Sequence, residues 1–181
     1  PRFSDLLRGQ PGIHDTRAAV LWDDEHLYVG YWVEEPFVEG TLTERDSLIY
    51  KNNDVELFIA GRDAYYELEI NSLGTIYEVF FIWQDAYTRG SQFDVPEFDL
   101  LGRKALSFGG NHDRTGAHFW WGTHPRKTRW AFLDWDLPGL QTAVQVSDTA
   151  TVGPSPRPGW TVELAFPWAG MPWLANGRSL P

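Results

Sequence analysis

The side chains best suited to bind a polar ligand lie in two adjoining segments in the first half of the chain. Residues 54–60 read Asp-Val-Glu-Leu-Phe-Ile-Ala, and residues 64–71 read Ala-Tyr-Tyr-Glu-Leu-Glu-Ile-Asn after a short turn. Each segment alternates apolar and polar residues with period two, which predicts two half-buried strands. Four polar side chains are then expected on the outward face: Glu56, Glu67, Glu69 and Asn71. Their acceptor oxygens suit the hydroxyl groups of a polar ligand.

The elements that must position these side chains follow the same short-strand pattern. Further strands are predicted at residues 17–22, 26–34, 75–83, 141–147 and 159–166, whereas residues 84–140 show no clear period. A short helix is predicted to begin at Pro167. Seven or more short strands without long helices between them indicate an all-β fold, an antiparallel two-sheet β-sandwich with long loops. No break in composition divides the chain, so one domain over residues 1–181 is expected.

Composition excludes several classes of partner. The chain has 25 acidic and 15 basic residues and a formal net charge of −10, which repels nucleic acid and anionic membranes. No apolar run approaches the roughly 20 residues of a membrane span. The chain has no cysteine, so disulfides and thiolate metal sites are excluded. Because the sequence begins with Pro1 rather than Met, we expect a fragment of a longer protein whose other domains are partners.

Four motifs in order resemble carbohydrate-binding module family 9. They are Leu-Tyr-Val at residues 27–29, Asn-Asp-Val-Glu-Leu-Phe-Ile at 53–59, Tyr-Tyr-Glu-Leu-Glu-Ile-Asn at 65–71 and Gly-Trp-Thr-Val-Glu-Leu-Ala-Phe-Pro-Trp at 159–168. The resemblance implies a two-sheet β-sandwich within a wider group of domains that bind sugars or haem. Members attached to xylanases hold the end of a sugar between two tryptophans, beside polar side chains, and contain structural calcium.

Matching the motifs residue by residue gives a candidate sugar site. Glu56 falls on the family's sugar-contacting glutamate, and Asn71 matches the asparagine that ends the second strand. Tyr50 falls where the family has its first stacking tryptophan, and Glu69 falls where it has an arginine. The family's second tryptophan would lie beyond the last residue of this chain. Trp120 and Trp121, in the segment without clear period, are predicted to supply the second stacking surface.

Three alternatives stay open at the level of sequence. A pair among Glu56, Glu67, Glu69 and Glu78 has the residue types of a glycosidase acid and base. Haem binding would need an axial ligand such as His118 or Met171. A structural or partner-docking sandwich without sugar binding is the third.

As a cofactor, calcium is favoured over haem, on loop carboxylates near strand ends: Asp23, Asp24, Asp46 and Asp63. The prediction from all of these features is a non-catalytic carbohydrate-binding module of a secreted carbohydrate-degrading protein. Its ligand would be a carbohydrate, and its location extracellular or periplasmic.

Overall fold

Two antiparallel sheets form the protein, as the sequence predicts. The structure, a computed structural model, describes residues 3–5, 8–109, 126–150, 155–175 and 178. Within these residues the strands are β1 (Thr16–Trp22), β2 (His26–Glu34), β3 (Asp54–Ala60), β4 (Ala64–Asn71), β5 (Ile76–Trp83), β6 (Ala105–Phe108), β7 (Arg129–Phe132), β8 (Gln141–Ser147) and β9 (Gly159–Pro167). The four-stranded sheet has the order β1-β2-β9-β8, and the five-stranded sheet has the order β3-β4-β5-β7-β6. The protein is therefore a β-sandwich.

Period-two alternation assigns each side chain to the inside or outside of the sandwich. In β4 the aromatic and aliphatic residues Tyr66, Leu68 and Ile70 are all fully buried. In β9 the residues Val162, Leu164 and Phe166 are buried in the same core, which lies between the two sheets. Removing these apolar surfaces from water is the main favourable term in the stability of the fold.

Tight turns set the register of the strands that carry the polar face. Residues 61–63 join β3 to β4, and the Gly61 N–H donates to the carbonyl of Ala64. The resulting ladder pairs Glu56 directly with Glu69 and Asp54 directly with Asn71. Since the side-chain period is two, a slip of one residue would move every acidic side chain to the core. The apolar inner face thus fixes the acidic residues outside.

Residues 84–140 differ from the prediction, because two short strands lie in this segment. Strands β6 and β7 extend the five-stranded sheet beyond β5, with Phe80 paired to Phe132 and Ala105 to the same residue. Each strand has four residues, too few to show a clear alternation. The short helix predicted at Pro167 is a 3₁₀ turn at Trp168–Gly170. Among the described residues, no helix has the length and apolarity needed to cross a membrane.

Candidate functional site

Four carboxylates share the outer face of the five-stranded sheet. Asp54 and Glu56 come from β3, and Glu67 and Glu69 come from β4; we call these four residues the acidic face. Glu56 and Glu69 are directly opposite each other across the ladder. Like charges in that position repel, which is unfavourable unless protons, cations or ligand groups compensate. The exposed fraction of Glu69 is only 5%, so its carboxylate has little access to water.

Burial and mutual repulsion raise the pKa values of this face. Burial, then the Glu56 carboxylate and then the Asp54 carboxylate raise the pKa of Glu69 to about 8. Burial and the Glu56 charge raise the pKa of Asp54 to about 7, and the same causes raise the pKa of Glu67 to about 7. Burial also raises the pKa of Glu56. Asp54, Glu67 and Glu69 therefore remain partly protonated near neutral pH, when each can both accept and donate a hydrogen bond.

Tyr50 lies at the edge of the acidic face. It belongs to the 3₁₀ turn Ile49–Lys51, which is anchored by the fully buried side chain of Ile49. This turn packs against β4 and β3, the strands that carry Glu69 and Glu56. The Tyr50 ring itself is 54% exposed, an open aromatic surface beside the carboxylates. The structure thus brings together three of the predicted site residues: Tyr50, Glu56 and Glu69.

Asn71 is predicted to contact the ligand, but in the structure its side-chain amide makes its hydrogen bonds within the protein. Its Oδ1 accepts from the N–H groups of Leu73 and Thr75, at 3.0 and 2.9 Å. Its Nδ2 donates to the Leu42 carbonyl at 2.9 Å and to Asn52 Oδ1 at 3.2 Å. The side chain is 0% exposed. Asn71 therefore holds the β4–β5 turn against the loop that follows β2, and it has no free group for a ligand.

Glu78 lies on the inner face of the sheet, opposite to the face that carries Glu56, Glu67 and Glu69. It pairs with Leu68 in the ladder, points into the sandwich and is 1% exposed. Tyr66 Oη donates to one of its carboxylate oxygens, and Arg45 Nη2 donates to the other. A catalytic pair that includes Glu78 and a residue of the acidic face is therefore excluded, because the sheet separates them.

Further along the same outer face, Arg129 is enclosed by aromatic rings. Its guanidinium lies 4.7 Å from the ring centre of Phe108 and 5.2 Å from that of Trp83. The rings of Tyr65 and Phe81 are at 5.5 and 5.4 Å. Cation–π attraction stabilises such an arrangement, most of all when water is excluded. The sequence does not predict this cluster, because its members come from four different strands, β4, β5, β6 and β7.

The outer face of the four-stranded sheet has a groove, which is a second candidate surface. Its volume is about 520 Å³, and the small residues Ala19, Gly30, Ala143 and Ala165 lie among its lining residues together with Tyr28, Trp32 and Glu163. A Cβ atom on Gly30 would lie 3.2 Å from the Trp32 ring, so the indole extends over this glycine. The only signal in the sequence was the alternation in β2, which places Tyr28, Gly30 and Trp32 on the outward face.

The remaining predicted ligands divide into three groups. Trp120, Trp121 and His118 lie outside the described residues. Met171 is 2% exposed within the apolar core, so its thioether faces neither outer surface. Two of the loop aspartates have partners within the protein: Asp23 accepts from the N–H groups of Glu25 and His26, both at 2.8 Å, and Asp63 pairs with Arg62 and Arg126.

Asp46 accepts from the backbone N–H of Glu78 at 3.3 Å. The carboxylates that could bind a cation together lie instead in strands β3 and β4. Among the described residues, one group of carboxylates has its oxygens close enough to share an ion, and it consists of Asp54, Glu56 and Glu69.

The fold and site place the protein in the class of antiparallel β-sandwich domains with an acidic, aromatic-edged sheet face. Comparison with known proteins adds no closer assignment, since the chain matches no protein-family model, no curated protein and no solved structure. The resemblance to carbohydrate-binding module family 9 stays a prediction from the four motifs.

Proposed function

We propose that this domain binds carbohydrate without catalysing a reaction, and that the acidic face with Tyr50 is the binding surface. The observation that carries the proposal is the position of Tyr50, a half-exposed ring on a turn that packs against the two strands bearing the carboxylates. Sugars present apolar C–H faces that pack on aromatic rings and hydroxyl groups that donate to carboxylates at the rim. In this domain an aromatic ring and carboxylates lie next to each other, so one surface offers both kinds of contact.

The charge of the surface defines the class of sugar. Four carboxylates and a chain charge of −10 disfavour uronic acids and sulfated sugars, because like charges repel. Neutral sugars meet no such penalty, and their hydroxyl groups can donate hydrogen bonds to the carboxylate oxygens. Glu69 adds negative charge where the family that the motifs resemble has arginine, so the preference for uncharged or basic sugars is stronger here.

The direct test is calorimetric titration of the protein with glucose, xylose, cellobiose, xylobiose, glucosamine and glucuronic acid. We expect binding of at least one neutral or amino sugar and none of glucuronic acid. Glu56→Gln keeps the size of the side chain and removes its charge, so it should weaken binding by roughly 10-fold or more, the usual effect of losing a hydrogen bond to a charged group. Tyr50→Ala should weaken binding as well. Absence of binding to the whole panel would overturn the proposal.

The groove on the other sheet supplies the matched control. Trp32→Ala removes its largest aromatic wall and leaves the acidic face intact. We expect unchanged sugar affinity in this variant. If instead Trp32→Ala abolishes binding and Glu56→Gln does not, the sugar binds in the groove and the acidic face is the wrong surface. Release of nitrophenol from nitrophenyl glycosides, lost in Glu56→Gln, would show that the domain is catalytic.

A further inference from the structure

Asp54, Glu56 and Glu69 form a compact group of oxygen ligands on two paired strands. Each residue offers one carboxylate oxygen, and these oxygens all lie within 4.8 Å of one another. A cation bound at 2.3 to 2.6 Å from its oxygen ligands, the range typical of Ca²⁺, spans oxygens up to roughly 5 Å apart. The backbone ladder between β3 and β4 holds the three residues in place, since Glu56 and Glu69 are paired directly. One ion of this size therefore fits the group without rearrangement of the strands.

The buried carboxylate oxygen of Glu69 is a second, separate observation that favours a ligand at this group of carboxylates. The side chain is 5% exposed, and its Oε2 atom has no hydrogen-bond partner. A buried acceptor without a partner is uncommon, because it loses its hydration without compensation.

Among the described residues, no ion pair joins an arginine or a lysine to Asp54, Glu56 or Glu69. In the part of the chain that the structure describes, the arginine ion pairs are made with other carboxylates, among them Asp15, Glu34, Asp63, Glu78 and Asp136. Arg129, which lies on the same sheet face, is surrounded by aromatic rings. Three carboxylates at this separation repel one another unless a cation or a proton lies among them.

We propose that Asp54, Glu56 and Glu69 bind one hard divalent cation of the size of Ca²⁺. Carboxylate oxygens are the preferred ligands of such ions. Asp54 and Glu69 hold the ion from the less exposed side, whereas Glu56 is exposed and leaves room for water to complete the coordination. The loop residues Asp23, Asp46 and Asp63 are different, because backbone N–H groups and arginines already occupy them. The cation site goes beyond the proposed sugar binding and does not depend on it.

The test is calorimetric titration of chelator-treated protein with CaCl₂ and with MgCl₂, in the absence of sugar. We expect one Ca²⁺ per chain, with Mg²⁺ at least 10-fold weaker, because Mg²⁺ requires oxygens at about 2.1 Å in a regular octahedron. The Tm should rise by roughly 5 °C at a 100-fold excess over Kd. Glu69→Gln and Asp54→Asn keep the side-chain sizes and should each abolish the binding. Near-UV circular dichroism checks that they are folded.

Glu163→Gln is the matched control, a strand glutamate that is exposed on the four-stranded sheet. It should bind Ca²⁺ as the unaltered protein does. Three results would overturn the proposal: no heat with either ion at millimolar concentration, Ca²⁺ binding that survives in Glu69→Gln, or several weak sites that Glu163→Gln reduces equally. Absence of sugar binding leaves the cation site intact, and loss of the cation site leaves the sugar titration interpretable, so the two proposals fail separately.

Discussion

Replacing Arg45 by methionine is predicted to destabilise the protein in a pH-dependent manner. Arg45 Nη2 donates to the buried carboxylate of Glu78 and, at 2.8 Å, to Asp136 Oδ1. Removing one partner of a buried ion pair commonly costs about 3 to 5 kcal/mol, because the other charge is left uncompensated. The Arg45 side chain is 44% exposed, so water screens part of the interaction. Once Arg45 is removed, Glu78 can take up a proton, which limits the penalty, so we expect a loss of about 1 to 2 kcal/mol in unfolding free energy at pH 8.

The sign of the pH dependence follows from the pKa of Glu78. Burial raises this pKa to about 7, while the hydrogen bond from Tyr66 and the charge of Arg45 act to lower it. The native state thus holds the Glu78 proton more tightly than the unfolded state does, and unfolding free energy decreases as pH rises through about 7. Without Arg45 the pKa rises further. Arg45→Met therefore lowers the unfolding free energy little at pH 5, where Glu78 is protonated, and more at pH 8, where Glu78 is ionised in the unaltered protein.

Urea unfolding at pH 5 and pH 8 measures both quantities. Arg45→Met combined with Glu78→Gln should recover most of the lost stability at pH 8, because no buried charge remains. Asp136→Asn is the control, since the Asp136 side chain is 60% exposed and its pairing with Arg45 contributes about 1 kcal/mol or less. An equal penalty for Arg45→Met at the two pH values, or no recovery in the double variant, would refute this reasoning.

Two further predictions concern residues whose roles the structure defines. Asn71→Ala should lower unfolding free energy by about 2 to 4 kcal/mol, because four hydrogen bonds are lost in a buried setting; a variant that loses sugar affinity in calorimetry while keeping its urea midpoint would instead make Asn71 a ligand contact. Arg129→Lys should cost about 1 to 3 kcal/mol, because a compact ammonium cannot lie over four rings at once; an unchanged Tm in scanning calorimetry would contradict that role.

The alternation in β3 and β4 was sufficient to predict which residues are inside and which are outside. That pattern is local, so the positions of Glu56 and Glu69 on one face follow from the sequence alone. The hydrogen bonds of Asn71 cannot be predicted in this way, because its partners Leu42 and Asn52 come from a loop whose path the sequence does not determine.

Strands β6 and β7 were missed for a related reason. Four residues give no clear period, and their pairing with β5 depends on contacts between distant parts of the chain. The enclosure of Arg129 escaped prediction in the same way. The groove was partly visible, because the alternation in β2 placed Trp32 and Tyr28 on one face, but the small residues opposite them lie on other strands.

Among the residues that the structure describes, strand β3 is at the edge of its sheet and is paired with β4 alone. An edge strand presents free N–H and carbonyl groups to which a second chain can add. Asp54 and Glu56 lie on this strand, so two molecules aligned through β3 would bring their carboxylates together. Charged side chains at such an edge are a recognised protection against aggregation. The same residues that we propose as ligands therefore also help to keep the protein from associating with itself.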